Sequence, residues 1–130
     1  MPKVDIAVVE VGPRDGLQIA KSVMPTALKK RWIEGGAAAG LREIEVCSFV
    51  PAKVVPGMGD AAEVTQFART VPGLTVAVLA PNARGAEHAI AAGAQKISMP
   101  ISVSKSHNMA NVRKTHEQSL DEVRAVMAMI

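Results

Sequence analysis

Four repeats of one pattern constrain the fold more than any other feature of this sequence. In each repeat, a short segment that contains β-branched residues precedes a polar turn and a segment with apolar residues at helical spacing, and in the first repeat the short segment is a continuous apolar run. Such runs are typical of strands that are buried on both faces, and the helical segments are long enough to connect parallel strands. The pattern therefore predicts an α/β fold with a parallel sheet and right-handed crossovers.

The predicted strands and helices alternate along the whole chain. The first strand lies within Asp5–Gln18, where Gly12 and Pro13 end the apolar run. The other predicted strands are Arg42–Val50, Leu74–Leu79 and Lys96–Ile101; the helices run from Pro25 to Gly40, from about Asp60 to Thr70, from about Arg84 to Ala92, and through the final segment, with a capping box at Ser119–Glu122. The segments Lys53–Asp60 and Ser102–Asn108 are predicted to be loops.

Helical spacing also predicts which side chains face the core. The inward positions are Ala27, Leu28, Trp32 and Ile33 in the first long helix, and Leu120, Val123, Val126 and Ile130 in the last. Gly35 and Gly36 fall inside the first long helix, where each costs roughly 1 kcal/mol relative to alanine. They either permit close packing against the sheet or mark a helix that frays early.

Two architectures fit four βα units: an open doubly wound sheet, or part of a (β/α)8 barrel. The first βα turn lacks Gly-x-Gly-x-x-Gly, and the chain lacks Gly-x-x-x-x-Gly-Lys, which weakens the nucleotide-binding version. A complete barrel needs about 250 residues. We therefore expect residues 1–130 to form the N-terminal half of a TIM barrel, and the two exposed strand edges of such a half predict a homo-oligomer, most simply a dimer.

Composition excludes several classes of protein. The 130 residues are 48% hydrophobic and 21% charged, as in a single soluble domain. The net charge of +3 is spread along a chain with 2% aromatic residues, so nucleic acid is not an expected partner. No apolar run approaches the roughly 20 residues of a membrane span. The single cysteine, Cys47, excludes an internal disulfide, and with no apparent leader we expect a cytoplasmic protein.

Charged and polar residues gather where the first two strands end. Arg14, Asp15 and Gln18 follow the first strand, and Glu45 lies in the second. Because parallel α/β folds bind ligands at the carboxyl ends of their strands, these positions are candidates for an active site.

Four segments carry a resemblance to a known family. They are Glu10–Gln18 (EVGPRDGLQ), Ile44–Val50 (IEVCSFV), Pro56–Asp60 (PGMGD) and Leu79–Asn82 (LAPN). Together they closely resemble the 3-hydroxy-3-methylglutaryl-CoA lyases, a branch of the metal-dependent (β/α)8-barrel lyases and aldolases that also includes isopropylmalate and homocitrate synthases. The resemblance covers nearly all of this chain but only the first half of a family member.

The resemblance implies a carbon–carbon lyase of leucine degradation that converts 3-hydroxy-3-methylglutaryl-CoA to acetyl-CoA and acetoacetate. It implies that Asp15 is a ligand to a divalent metal ion, Mg²⁺ or Mn²⁺, for which carboxylate oxygen is a natural ligand. Arg14 would face the thioester carbonyl, where a guanidinium can stabilise the enolate that forms on bond cleavage. Glu45 would keep Arg14 aimed, and Gln18 would line the substrate pocket.

A polar segment after the fourth strand carries a further candidate set. Ser102, Ser104 and His107 are similar to a serine- and histidine-containing substrate loop of this family, and we expect them to contact substrate. His88 and His116 are expected to be structural or solvated, and Cys47 to be a small buried apolar residue. The family's His-x-His pair, its metal-binding Asn and its catalytic Cys have no match in these residues. The chain alone is therefore expected to bind metal poorly and to turn over little.

Two alternatives remain open at the level of the sequence. One is the same barrel acting on another acyl-CoA or oxo-acid in an aldol or Claisen step. The other is a non-catalytic half-barrel that dimerises and retains the motif.

Overall fold

The computed structural model describes residues 5–130, which form one four-stranded parallel sheet in the order β1-β2-β3-β4. The strands are β1 (Val9–Glu10), β2 (Glu43–Ser48), β3 (Thr75–Leu79) and β4 (Lys96–Ser98); the helices are α1 (Leu17–Ile19), α2 (Thr26–Ala38), α3 (Ala61–Ala68), α4 (Ala83–Ala92), α5 (Lys105–Val112) and α6 (His116–Ala128). Each strand pairs in parallel with the next strand along the chain. The prediction of an α/β fold built from parallel βα repeats is confirmed.

The core lies between the two central strands and the helices that cover them. Its fully buried members include Ile33 of α2, Ile44 of β2, Val64 of α3, and Val76 and Val78 of β3. Burial of each such side chain is worth roughly 1.5–3 kcal/mol relative to exposure. Among the described residues, no helix combines the length and the apolar character needed to cross a bilayer.

The edge strands are shorter and more exposed than the sequence predicts. β1 contains only Val9 and Glu10, and the preceding Ile6 and Val8 are 74% and 65% exposed. The expectation of a first strand buried on both faces is wrong for the described residues, because β1 packs mainly against β2 and no described helix covers its faces closely. β4 likewise ends at Ser98, before Pro100, which has no N–H to donate to a ladder.

Helix α2 buries Lys29, which was not among the side chains predicted to face the core, and the prediction that Ala27 and Leu28 face the core is wrong. Ala27 and Leu28 are exposed, whereas Lys29 is only 2% exposed and Ile33 is fully buried. The Lys29 ammonium can be buried because Asp60 accepts a hydrogen bond from it at 2.7 Å and the Gly57 carbonyl accepts another. Periodicity identified the helix, but the buried face includes this polar contact.

The two helical glycines of α2 differ in their surroundings. A Cβ atom on Gly36 would lie 3.1 Å from Ile44 Cδ1, whereas one on Gly35 would meet no atom of residues 5–130 within 4 Å. Gly36 therefore permits close packing of α2 on the sheet, and the helix continues through both glycines to Ala38. The alternative of early fraying is wrong.

The segment after β4 contains more helix than the sequence predicts. Lys105–Asn108, predicted to be loop, form the first turn of α5, which Ser104 caps by accepting a hydrogen bond from the His107 amide at 3.2 Å. The capping box of α6 consists of Thr115 and Gln118 rather than Ser119–Glu122. Ser119 is instead buried, because its hydroxyl accepts a hydrogen bond from Asn108 Nδ2 at 3.0 Å.

The apolar stripe predicted for α6 is only partly used. Val126 is buried, Val123 is half-buried, and Leu120 and Ile130 are 47% and 82% exposed. Few elements among the described residues pack against this helix, its main neighbour being α4.

Glu122 ties α6 to the beginning of α4. Its Oε1 accepts a hydrogen bond from the Ala83 amide at 2.6 Å, and its Oε2 pairs with Lys114. Burial raises the pKa of this carboxyl. The hydrogen bonds from Lys114 and Ala83 and the charge of Lys114 lower the pKa by more than burial raises it, so the pKa lies below its ordinary value of 4.5.

Candidate active site

A tight helical turn follows β1 and carries the first candidate residues. Gly12–Gly16 form one π-helical turn, in which the Asp15 amide donates to the Val11 carbonyl at 2.7 Å. A Cβ atom on Gly12 would lie 2.7 Å from the Trp32 ring, so this position requires glycine. The turn holds Arg14 and Asp15 at the carboxyl end of β1, on the side of the sheet where β2 also ends.

Arg14 is held between two carboxylates. Its Nε donates to Glu45 Oε1, and its Nη1 donates to Asp15 Oδ1 at 3.2 Å. The Arg14 and Glu45 side chains are 20% and 9% exposed, whereas Asp15 is 60% exposed. Ser98 of β4 donates a further hydrogen bond to Glu45 Oε2 at 3.3 Å. The structure thus brings Arg14, Asp15 and Glu45 together, and within residues 5–130 the Nη2 group of Arg14 has no hydrogen-bond acceptor.

A β-bulge in β2 determines which of its side chains face this cluster. Residues 45 and 48 are three apart, so an unbroken strand would point them to opposite faces of the sheet. The register with β3 shifts between Glu45 and Cys47, which inserts one extra residue. As a result, Glu45 and Ser48 both bond to the segment that follows β1, while Cys47 contacts Thr65 of α3.

Gln18 joins the site through Ser48. The Ser48 hydroxyl, which is fully buried, donates to Gln18 Oε1 at 3.0 Å. Gln18 lies on α1, four residues after Arg14, so the two side chains leave adjacent helical turns in similar directions. The half-buried Gln18 side chain therefore stands beside the Arg14 cluster.

The described residues supply only part of a metal site. Asp15 is exposed and offers carboxylate oxygen, which suits Mg²⁺ or Mn²⁺. However, residues 5–130 contain no cluster of three or more His, Cys, Asp or Glu side chains that could hold a metal ion. The ligand type fits a hard divalent cation, but one carboxylate does not complete its coordination.

The structure does not join Ser102, Ser104 and His107 to the Arg14 cluster. They follow β4, at the opposite edge of the described sheet from β1. The Ser102 amide donates to Asn108 Oδ1 at 2.9 Å, and Ser104 and His107 take part in the cap of α5. Both His107 and Ser104 are exposed, and their substrate contacts stay a prediction.

The remaining reactive side chains have structural surroundings. Cys47 is buried, with its Sγ 3.3 Å from Thr65 Oγ1, and burial raises the pKa of the thiol to about 12. His116 Nε2 lies 2.7 Å from the Ser102 carbonyl oxygen and ties α6 to that loop. His88 is exposed on α4.

A cavity of about 460 Å³ lies beyond the ends of β2 and β3 and does not include the Arg14 cluster. Its lining contains Phe49, Met58 and three basic side chains, those of Lys53, Arg84 and His88. The candidate site is therefore defined by the hydrogen-bonded cluster itself rather than by this cavity.

Comparison with known proteins identifies the family. Residues 5–130 match the HMGL-like family over their whole length. The chain belongs to the HMGL-like family. This assignment agrees with the resemblance carried by the GPRDGLQ segment of the first turn.

Relatives and solved structures of the HMGL-like family agree with the fold. The chain is 44% identical over 122 residues to the mitochondrial hydroxymethylglutaryl-CoA lyase of Gallus gallus, covering 94% of this chain and 41% of the relative. It is 42% identical over 123 residues to the cytoplasmic 3-hydroxy-3-methylglutaryl-CoA lyase of Mus musculus, covering 95% and 36%. The hydroxymethylglutaryl-CoA lyase of Pseudomonas aeruginosa superposes with a TM-score of 0.88 at 40% identity, covering 95% and 41%.

A second solved structure was determined with ligands. It is an HMG-CoA lyase from Acinetobacter baumannii in complex with coenzyme A and 3-methylmalate, with a TM-score of 0.87 at 35% identity, covering 95% of this chain and 40% of that one. The chain thus spans about 40% of the length of these HMGL-like proteins. The prediction that it forms the first half of a (β/α)8 barrel is confirmed.

Sequence analysis missed two residues of the cluster. Ser48 appeared in the IEVCSFV segment without a role, and Ser98 was read only as part of a strand. Both are polar residues at the carboxyl end of a strand, which is the signal that could have identified them. Their partners, Gln18 and Glu45, could not be found from spacing because each lies 30 or more residues away in sequence.

Proposed function

We propose that this chain is the N-terminal part of a hydroxymethylglutaryl-CoA lyase that cleaves 3-hydroxy-3-methylglutaryl-CoA to acetyl-CoA and acetoacetate. One observation carries the proposal: a guanidinium held by two carboxylates at the carboxyl end of β1, in a chain of the HMGL-like family. The coenzyme A complex of the Acinetobacter baumannii relative supports an acyl-CoA substrate.

The geometry of Arg14 suits the charge that develops in this reaction. Cleavage of the C2–C3 bond leaves its electron pair on the acetyl-CoA fragment, as an enolate whose negative charge lies on the thioester oxygen. The C3 hydroxyl loses a proton, and C2 gains one as acetyl-CoA forms. Glu45 and Asp15 engage Nε and Nη1 of Arg14, which leaves N–H groups on Nη2 for the enolate oxygen.

We propose further that Asp15 contributes one ligand to a divalent cation, Mg²⁺ or Mn²⁺. Such a cation, when bound, makes the C3 hydroxyl of the substrate more acidic. The other ligands would have to come from outside residues 5–130, given the lack of a metal-binding cluster among them.

A chimera tests the lyase function. Residues 5–130 replace the matching N-terminal part of the Pseudomonas aeruginosa lyase, and acetoacetate release from 3-hydroxy-3-methylglutaryl-CoA is measured with and without Mg²⁺. We expect Mg²⁺-dependent turnover, and we expect Arg14→Lys to lower kcat by roughly 10²-fold, because a point charge replaces a planar donor set. The matched control is Arg31→Lys, since Arg31 is exposed on α2.

Two results would contradict this proposal. Near-normal kcat in Arg14→Lys would remove Arg14 from enolate stabilisation. A folded chimera that cleaves a different acyl-CoA or oxo-acid, and not 3-hydroxy-3-methylglutaryl-CoA, would favour the alternative aldol or Claisen enzyme.

Metal binding is tested separately by titrating the chimera with Mn²⁺. Asp15→Ala is expected to weaken Mn²⁺ binding at least tenfold, as loss of a direct ligand should. Asp121→Ala serves as the control, because Asp121 is an exposed carboxylate on α6. Equal Mn²⁺ affinity in the two variants would exclude Asp15 from the ligand set.

The dimer and the cytoplasmic location also stay predictions. Exposed apolar side chains beside β1, including Ile6 and Val8, support self-association of this chain. Sedimentation velocity would measure this self-association, and a monomer at micromolar concentration would contradict it.

Both cytoplasmic and mitochondrial lyases are among the relatives, so cell fractionation must decide the location.

A further inference from the structure

Ser48 is a fully buried polar residue that the chemistry proposed above does not use. Its hydroxyl donates to Gln18 Oε1 at 3.0 Å, and its amide lies 3.5 Å from Met58 Sδ. The bulge in β2 is what turns this hydroxyl toward Gln18, because regular alternation would place it on the opposite face from Glu45. The strand geometry therefore brings two hydrogen bonds to the same face, the one from Arg14 to Glu45 and the one from Ser48 to Gln18.

The bond from Ser48 orients the Gln18 amide. A glutamine side chain has one acceptor oxygen and an NH₂ group with two donors. With Oε1 engaged by Ser48, the two N–H donors of the NH₂ group remain, and no acceptor for them lies within residues 5–130. Gln18 is half-buried and stands one helical turn after Arg14, whose Nη2 group also has no acceptor among residues 5–130.

We propose that Ser48 is a positioning residue, which holds the Gln18 amide so that its NH₂ group donates to an oxygen of the bound acyl group beside Arg14. The inference rests on the proposed lyase function for the identity of the ligand. Ser48 itself would not touch the substrate, and Gln18 would. The ligand class is an acyl thioester with a carbonyl or carboxylate oxygen that can accept this bond.

Kinetics of the chimera test the coupling between the two residues. Gln18→Ala and Ser48→Ala are each expected to raise KM for 3-hydroxy-3-methylglutaryl-CoA about tenfold, the upper end of the effect of one lost uncharged hydrogen bond. The double variant should be no worse than Gln18→Ala, because Ser48 acts only through Gln18. The proposal would be overturned if KM of the double variant rose by the product of the increases in the two single variants.

A matched control separates positioning from general loss of packing. Thr65→Ala also removes a fully buried hydroxyl that contacts β2, but this hydroxyl lies on the opposite face, against Cys47. It should destabilise the protein without the tenfold increase in KM. An equal increase in KM for Thr65→Ala would show that Ser48→Ala acts through the fold and would overturn the proposal.

A measurement on the 130-residue chain is independent of the lyase function. In ¹⁵N-labelled protein, the side-chain NH₂ signals of Gln18 should be dispersed in the wild type and move toward those of the exposed Gln66 in Ser48→Ala. Unchanged Gln18 signals would refute the orienting role of Ser48. A chimera without any lyase activity would contradict the proposed function instead, and the NMR result would still decide the role of Ser48.

Discussion

The buried ammonium of Lys29 makes a strong prediction about stability. Lys29→Met keeps the length and apolar stem of the side chain but removes the donor to Asp60 Oδ1 and to the Gly57 carbonyl. Among residues 5–130, the Asp60 carboxylate, only 18% exposed, then retains a single side-chain hydrogen bond, the one from Thr26 Oγ1 at 2.7 Å. We expect Lys29→Met to destabilise the protein because it leaves a largely buried charge without its counter-charge.

The expected cost follows from the degree of burial. Removing one member of a buried ion pair typically costs about 3–5 kcal/mol. Because Asp60 is partly solvated and keeps its bond to Thr26, we expect about 3 kcal/mol, the lower end. With a urea m value of roughly 1.5 kcal/mol/M for a chain of this size, the unfolding midpoint should fall by about 2 M.

Urea denaturation followed by circular dichroism measures this shift. The matched control is Lys30→Met, on the same helix, because Lys30 forms an exposed pair with Glu63 at 3.0 Å, for which about 0–1 kcal/mol is expected. The double variant Lys29→Met/Asp60→Asn should regain most of the lost stability, since it also removes the unpaired charge. A cost below about 1 kcal/mol for Lys29→Met, or no recovery in the double variant, would refute this reasoning.

Three further predictions follow from single contacts. Gly85→Ala should cost about 1–3 kcal/mol in urea denaturation, because its Cβ would lie 2.7 Å from the Phe49 carbonyl oxygen. Gly35→Ala should stabilise by up to about 1 kcal/mol, because its Cβ would meet no atom of residues 5–130 within 4 Å, and equal effects of the two substitutions would contradict this account of packing. Cys47 should react with a thiol reagent at pH 8 only as fast as the protein unfolds, since its thiol is buried with a pKa of about 12; rapid labelling of folded protein would disprove this. The lowered pKa of Glu122 contributes stability that is complete above the unfolded pKa near 4.5 and is lost as pH falls through the folded pKa. Glu122→Gln should therefore flatten the acid limb of a curve of stability against pH, and an unchanged limb would exclude this contribution.

Local sequence patterns determined the element order and its type. The segments 43–47 and 74–79, which contain β-branched residues, predicted the two central strands to within one or two residues, because the preference of such residues for strands can be recognised from a few consecutive positions. The positive φ of Gly40 and Gly93 likewise matches the predicted helix ends. The exposure of the edge strand was predicted wrongly, because the burial of a side chain such as Val8 depends on which elements distant in sequence pack beside it.

The candidate site likewise has features that the sequence predicts and features that only the tertiary structure shows. The sequence by itself determined that Arg14 and Asp15 follow a strand and that Glu45 lies in the next one, since order along the chain fixes which strand end each residue reaches. Only the tertiary structure decided that a bulge turns Ser48 toward Gln18, and that Lys29 is inside rather than outside. Both depend on the register between β2 and β3 or on a partner about 30 residues away, and no local period encodes such a contact.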